Sequence, residues 1–152
     1  MILIASDHGG LELKEEIKKL LQEKGIACED LGTSNGDSVD YPDFGQLVAR
    51  RVSDGSAEKG ILVCGTGIGM SIVANKFPHV RAALATDVFM ATMAKEHNNA
   101  NILVLGGRVL ETGVAREMVT AWLETEFAAG RHQSRLDKIS ALESELKLQC
   151  CA

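Results

Sequence analysis

The run Cys64-Gly65-Thr66-Gly67-Ile68-Gly69-Met70-Ser71 concentrates more chemistry than any other stretch of the chain. Its alternating glycines stand between an apolar run and a helical stretch, which predicts a turn whose backbone N–H groups point at whatever lies above it. Such a turn stabilises an oxyanion. A thiol at its mouth gains from the same dipoles, so Cys64 is a candidate thiolate base or nucleophile. A cysteine alone at that place would only finish an apolar strand, but the adjoining glycines favour the chemical role. A dinucleotide fingerprint is the competing reading, and Asp87 follows at about the spacing of a ribose-binding acid. It fails twice: Met70 stands where GxGxxG needs its third glycine, and the loop follows the third predicted strand rather than the first.

Further polar groups follow the other apolar runs. Asp7-His8-Gly9-Gly10 comes after the first, a loop containing Asp40-Tyr41-Pro42-Asp43 after the second, and Gly106-Gly107-Arg108 after the fifth. In an open α/β sheet ligands bind at the carboxyl edge, so these groups and the Cys64 loop are expected to share one crevice. His97-Asn98 differs. The helix predicted over Asp87–Glu96 leaves the carboxyl edge and must return to the amino edge, which puts His97 across its own sheet from Cys64. If both serve one reaction, they come from different subunits; otherwise His97 is a solvent-exposed histidine near a helix C-terminus. His79, beside Pro78, reads as a loop residue. Gly130-Arg131-His132-Gln133-Ser134-Arg135 sets two guanidinium groups on one helical face. Like charges at that spacing repel, and a bound anion such as phosphate explains them. Arg108 and His8 are expected to add to the same cluster.

Positioning these groups requires βα units around a parallel sheet, since short apolar runs alternate with segments of helical period. Five strands are expected, over Met1–Ser6, Ile26–Leu31, Gly60–Cys64, Arg81–Thr86 and Asn101–Leu105, each buried on both faces. Helical stripes are formed by Leu13, Ile17, Leu20 and Leu21 with Gly25 as terminator, by Phe44, Leu47, Val48 and Val52, and by Met118, Val119, Trp122 and Leu123. The two prolines, Pro42 and Pro78, fall in connections. No repeat or linker divides the chain, so residues 1–152 read as one domain. After Gly130 a last helix carries the narrow stripe Leu136, Ile139, Leu142 and Leu146, which suits packing on a partner chain and equally suits covering its own domain.

Composition excludes several classes. With 152 residues, 45% hydrophobic and 24% charged, the chain fits one ordinary globular core. Sixteen basic against 21 acidic side chains give a net charge of −5, and aromatics make up 4%, which argues against nucleic-acid binding. No stretch is apolar enough to span a bilayer, so no membrane association is expected. The start, Met1-Ile2-Leu3-Ile4-Ala5, turns polar at Ser6-Asp7-His8 before any secretory core could form, which suggests a cytoplasmic protein. Cys28, Cys64, Cys150 and Cys151 match no zinc or disulfide spacing and read as free thiols, the last two in a tail expected to fray.

Together, Ser6-Asp7-His8-Gly9-Gly10, Asp40-Tyr41-Pro42, the Cys64–Ser71 run with Ala74-Asn75-Lys76, Glu96-His97-Asn98 and Gly130-Arg131-His132 resemble, in this order and over almost the whole chain, the ribose/galactose isomerase family of phosphosugar isomerases. The resemblance implies a three-layer αβα, Rossmann-like sandwich with a five-stranded parallel sheet in the order 2-1-3-5-4. It also implies a homodimer, with a tetramer open, whose active sites use both chains and whose extra C-terminal helix packs on the partner. The implied activity is cofactor-independent and metal-independent interconversion of ribose 5-phosphate and ribulose 5-phosphate through a cis-enediolate.

Carried over residue by residue, Cys64 is the base, and Thr66 with the N–H groups from Gly65 through Gly67 and Ile68 to Gly69 holds the enediolate. His97 assists ring opening, Asp7 meets the sugar hydroxyls or ring oxygen, Asn98 binds the sugar, and Tyr41 lines the ring-binding wall. His8, Arg108, Arg131 and Arg135 take the phosphate. Of the family's two subtypes, one uses a glutamate inside the glycine loop; here Cys64 is present and Ile68 occupies the loop, which assigns the cysteine subtype. Galactose 6-phosphate isomerases divide their functional residues between two different subunits, whereas this one chain carries them all. Isomerisation of allose 6-phosphate or another six-carbon sugar is the alternative within enzymes, and a non-catalytic nucleotide-binding module is the alternative outside them.

Overall fold

The computed structural model describes residues 1–150, with side chains described for residues 1–146. Cys150 and Cys151 therefore lie outside the described side chains. The strands are β1 (Ile2–Ser6), β2 (Cys28–Asp30), β3 (Lys59–Cys64), β4 (Ala82–Leu84) and β5 (Ile102–Gly106). The helices are α1 (Leu11–Glu23), α2 (Tyr41–Ser53), α3 (Ile68–Ala74), α4 (Val88–Glu96), α5 (Thr112–Glu124) and α6 (Arg131–Cys150). All pairings are parallel, in the order β2-β1-β3-β5-β4.

The three central strands are buried along almost their whole length, because a parallel strand covered on both faces admits a continuous apolar run. Their side chains alternate between two cores. Ile2, Ile4, Ile61, Val63, Leu103 and Leu105 face α1, α4 and α5, where Trp122 is fully buried and donates Nε1–H to the Ala100 carbonyl at 3.2 Å. Leu3, Ala5, Leu62, Cys64, Ile102 and Val104 face α2 and α3. This is the three-layer αβα arrangement expected.

Several local expectations need correction. The edge strands β2 and β4 are only three residues long, and none of their residues is fully buried. Pro42 does not lie in a connection: Tyr41 and Pro42 open α2, where a missing N–H costs nothing in the first turn. Leu47 leaves its expected stripe and is 44% exposed. In α6, Leu136 is buried while Ile139, Leu142 and Leu146 remain exposed.

Lys14 lies wholly buried behind the carboxyl edge. Its Nζ donates to both oxygens of Asp30, at 3.0 and 2.7 Å, and to the Thr33 carbonyl at 2.6 Å, tying the end of β2 and the following loop to α1. That loop returns to β1 through the Thr33 N–H, which donates to the Ser6 carbonyl at 3.0 Å.

Candidate active site

The strand order reverses between β1 and β3, and this switch point opens a crevice at their carboxyl ends. Asp7 leaves β1 buried and accepts the Gly10 N–H at 3.1 Å, capping a single helical turn. His8 Nδ1 accepts the Val39 N–H at 3.2 Å. A neutral ring used this way carries its proton on Nε2, which is left as a donor for a ligand.

Cys64 ends β3, 5% exposed, and its sulfur accepts the Gly67 N–H at 3.2 Å. Gly67 has φ +81°, and a Cβ there would lie 2.5 Å from Leu84 Cδ1. The left-handed residue turns the chain sharply enough to aim its N–H back at the sulfur. Thr66 Oγ1 accepts the Ile68 N–H at 3.4 Å. At Gly69 a Cβ would stand 2.6 Å from the Tyr41 ring, so the absence of a side chain lets that ring pack directly on the first turn of α3. Ile68 points outward, 54% exposed.

The turn after β5 is stitched to the same loop. The Gly107 N–H donates to the Cys64 carbonyl at 2.8 Å and the Arg108 N–H to the Gly65 carbonyl at 2.9 Å. The Arg108 side chain lies against Gly65, and Gly9 also packs closely on Gly65. The crevice thus gathers Asp7, His8, Tyr41, Cys64, Gly65, Thr66, Gly67, Gly69 and Arg108, as the placement of these groups after their strands predicts.

His97, Asn98, Arg131 and Arg135 lie elsewhere. His97 closes α4, donating its N–H to the Met93 carbonyl at 2.9 Å, and its Nε2 is 3.5 Å from Glu96 Oε1. Arg81 Nε donates to the Asn98 and Asn99 carbonyls, each at 3.1 Å, and clamps the following turn. The Ala128 N–H donates to the Glu96 carbonyl at 2.9 Å, holding the start of α6 against this turn. All of this is at the amino edge, separated from Cys64 by the length of β5, about 13 Å at about 3.3 Å per residue. Arg131 and Arg135 therefore do not join Arg108 and His8 within one chain, because α5 runs back across the sheet before α6 begins. None of the three arginines forms an ion pair among the described residues.

One neighbour of this group has no role assigned from the sequence. His132 stacks on His97 with ring centroids 4.1 Å apart and planes 10° from parallel. Burial, His97, Arg131 and Arg135 hold its pKa below the ordinary histidine value, with Glu96 opposing them. The available signal was its place four residues before Leu136, on the buried face of α6.

Of the two cysteines whose side chains are described, Cys28 is held protonated by burial and by Asp30, its pKa pushed up to about 11. It is no rival to Cys64. No group of acidic, histidine or cysteine side chains with metal-holding geometry occurs among the described residues. No helix among them is long and apolar enough to cross a membrane.

The sequence profile of the family described as Ribose/Galactose Isomerase matches residues 2–139. Among solved structures, ribose-5-phosphate isomerase B of Clostridium thermocellum is 50% identical, with 95% of this chain and 98% of that one covered and a TM-score of 0.93. The Mycoplasma genitalium ribose-5-phosphate isomerase B with bound ribulose 5-phosphate is 44% identical, with coverage of 95% and 96% and a TM-score of 0.91. A relative in Pectobacterium atrosepticum named D-erythrulose-4-phosphate isomerase is 40% identical over 97% of this chain and 98% of its own length.

Proposed function

The chain belongs to the ribose/galactose isomerase family, and from that premise we propose that it interconverts ribose 5-phosphate and ribulose 5-phosphate with Cys64 as the base. The observation that carries this reading is the Cys64 sulfur at the mouth of the glycine turn, accepting the Gly67 N–H.

Cys64, as thiolate, takes the proton from C2 of the open-chain aldose. The C2–H electron pair becomes the C1=C2 bond of a cis-enediolate, and negative charge moves onto O1. Thr66 and the free N–H groups of the loop stabilise that charge, which develops only as the reaction proceeds. A proton passes between O2 and O1, and Cys64 returns its proton to C1, giving the ketose. Hydrogen bonds from Gly67 to the Cys64 sulfur and from Gly107 and Arg108 to the Cys64 and Gly65 carbonyls hold the loop in this shape, which reduces the reorganisation needed at the transition state. Asp7 and His8 meet the sugar from the end of β1, and Tyr41 forms the wall above Gly69.

The site is completed by a second copy of the chain. His97, which moves the ring-opening proton, and Asn98, Arg131 and Arg135 approach from the partner's amino edge and join Arg108 and His8 around the substrate. A homodimer with a twofold axis builds two such sites at once. The exposed Ile139, Leu142 and Leu146 of α6 line an apolar groove of about 400 Å³ along β4 and supply a surface for that contact.

The size of the sugar is the finer question, and the four-carbon substrate named for the Pectobacterium relative favours a second reading, in which erythrulose 4-phosphate is the preferred ketose. Measuring kcat/KM on four-, five- and six-carbon phosphosugars decides between them. A preference for ribose 5-phosphate is the expected result; a clear preference for a shorter or longer sugar overturns the pentose assignment.

A further inference from the structure

His97 is the one candidate proton-transfer group lying at the amino edge, and the ring beneath it belongs to no group assigned so far. We infer that His132 is a positioning residue for the reaction: by stacking on His97 it fixes the plane of that imidazole without competing for the proton in transfer. The inference rests on the ring-opening role given to His97 above.

Geometry carries the first half. The two rings lie 4.1 Å apart and 10° from parallel, so turning either ring about its Cβ–Cγ bond breaks the stack. His132 is 7% exposed and sits in the first turn of α6, with its N–H donated to the Ala129 carbonyl at 2.9 Å. His97 is more open, its side chain 37% exposed. The backbones beneath both rings are tied together through the Ala128 N–H and the Glu96 carbonyl, at 2.9 Å. The turn that continues from His97 is pinned by Arg81. One ring is anchored and the other is accessible, which is the arrangement expected of a support and the group it supports.

Charge carries the second half. Two imidazolium rings stacked this closely repel, so the pair holds one proton charge far more easily than two. The charged and titratable groups around His132 are His97 and Glu96 at the end of α4, and Arg131 and Arg135 on α6. Two arginines and burial outweigh one carboxylate at His132, whereas Glu96 Oε1 lies 3.5 Å from His97 Nε2. His132 is therefore the member of the pair that burial and its cationic neighbours disfavour as a cation. Ring opening of a furanose needs a group that gives and takes a proton repeatedly, and a neutral neighbour does not compete for it.

A double-mutant cycle on ribose 5-phosphate turnover tests this, with the full-length wild type, His97→Ala, His132→Ala, His132→Phe and the His97→Ala/His132→Ala double variant. His132→Ala is expected to lower kcat about tenfold to a hundredfold, the scale of a misplaced catalytic group, with KM changed less than about twofold. The double variant should be no slower than His97→Ala alone. His132→Phe, which keeps a flat ring and removes both nitrogens, should recover most of the kcat lost in His132→Ala. Additive losses, an unchanged kcat in His132→Ala, or a phenylalanine variant no better than alanine would overturn the role. A wild type without activity on ribose 5-phosphate would instead overturn the reading on which the inference rests.

Discussion

The backbone N–H of Gly67 donates to the Cys64 sulfur across 3.2 Å, from a residue held at φ +81°. On the proposed mechanism this contact makes the strand-end thiol part of the oxyanion site, with the remaining N–H groups of the turn taking the substrate oxygens.

Substituting Gly67 by alanine should damage both stability and turnover. The left-handed conformation alone costs an L-residue about 1 kcal/mol, and the new Cβ would meet Leu84 Cδ1 at 2.5 Å and the Leu105 backbone at 3.1 Å. A lowered midpoint of thermal unfolding, with a kcat loss larger than the stability loss explains, is the expected pair of results.

Lys14 and Asp30 give a prediction about stability alone. Lys14→Met removes one of the two lysines on Asp30 and the only side-chain donor to the Thr33 carbonyl among the described residues. Asp30 is partly exposed and keeps Lys18 and the Gly32 N–H, so the expected loss is about 1–2 kcal/mol, mainly from the unsatisfied carbonyl. Urea unfolding at pH 7 measures it.

The same pair sets an acid dependence. Burial pushes Asp30 upward, but the bonds from Lys14, Lys18 and the Gly32 N–H outweigh it and hold the carboxyl below its ordinary value of 3.8. The stability this contributes is fully present above 3.8 and disappears as pH falls through the lower folded value. Unfolding curves between pH 2 and pH 6 should therefore show a smaller acid loss in Lys14→Met than in the wild type.

The shared site predicts complementation. Cys64→Ser and His97→Ala are each expected to be nearly inactive, yet after verified subunit exchange an equal mixture should regain about a quarter of wild-type activity, because half the dimers are mixed and each has one intact site. Activity that stays at the level of the single variants would count against a site built from two chains.

Much of this was legible in the sequence, for physical reasons that differ by element. β1, β3 and β5 announce themselves as continuous apolar runs because both faces are covered, and each is followed by the residues that line the crevice. β2 and β4 were drawn too long, since at a sheet edge the apolar run continues past the last ladder bond. Pro42 misled because proline is a loop signal everywhere except the first helical turn. Strand order is not encoded in any apolar period and came from family resemblance. The placement of His97 opposite Cys64 follows from parity of crossings alone, whereas the edge at which Arg131 and Arg135 lie, one helix further on, is not read from any local pattern. The stack of His132 on His97 and the burial of Lys14 depend on side-chain packing between distant segments, which no local pattern records.

The central claim is that the Cys64 thiolate moves the proton between C2 and C1, and kcat for ribose 5-phosphate in wild type and Cys64→Ser, without added cofactor, tests it most directly. A hydroxyl is a far poorer base near neutral pH, so the serine variant should lose about a hundredfold or more in kcat with little change in substrate binding. Near-normal turnover in a folded Cys64→Ser protein would contradict the claim and remove Cys64 from the chemistry.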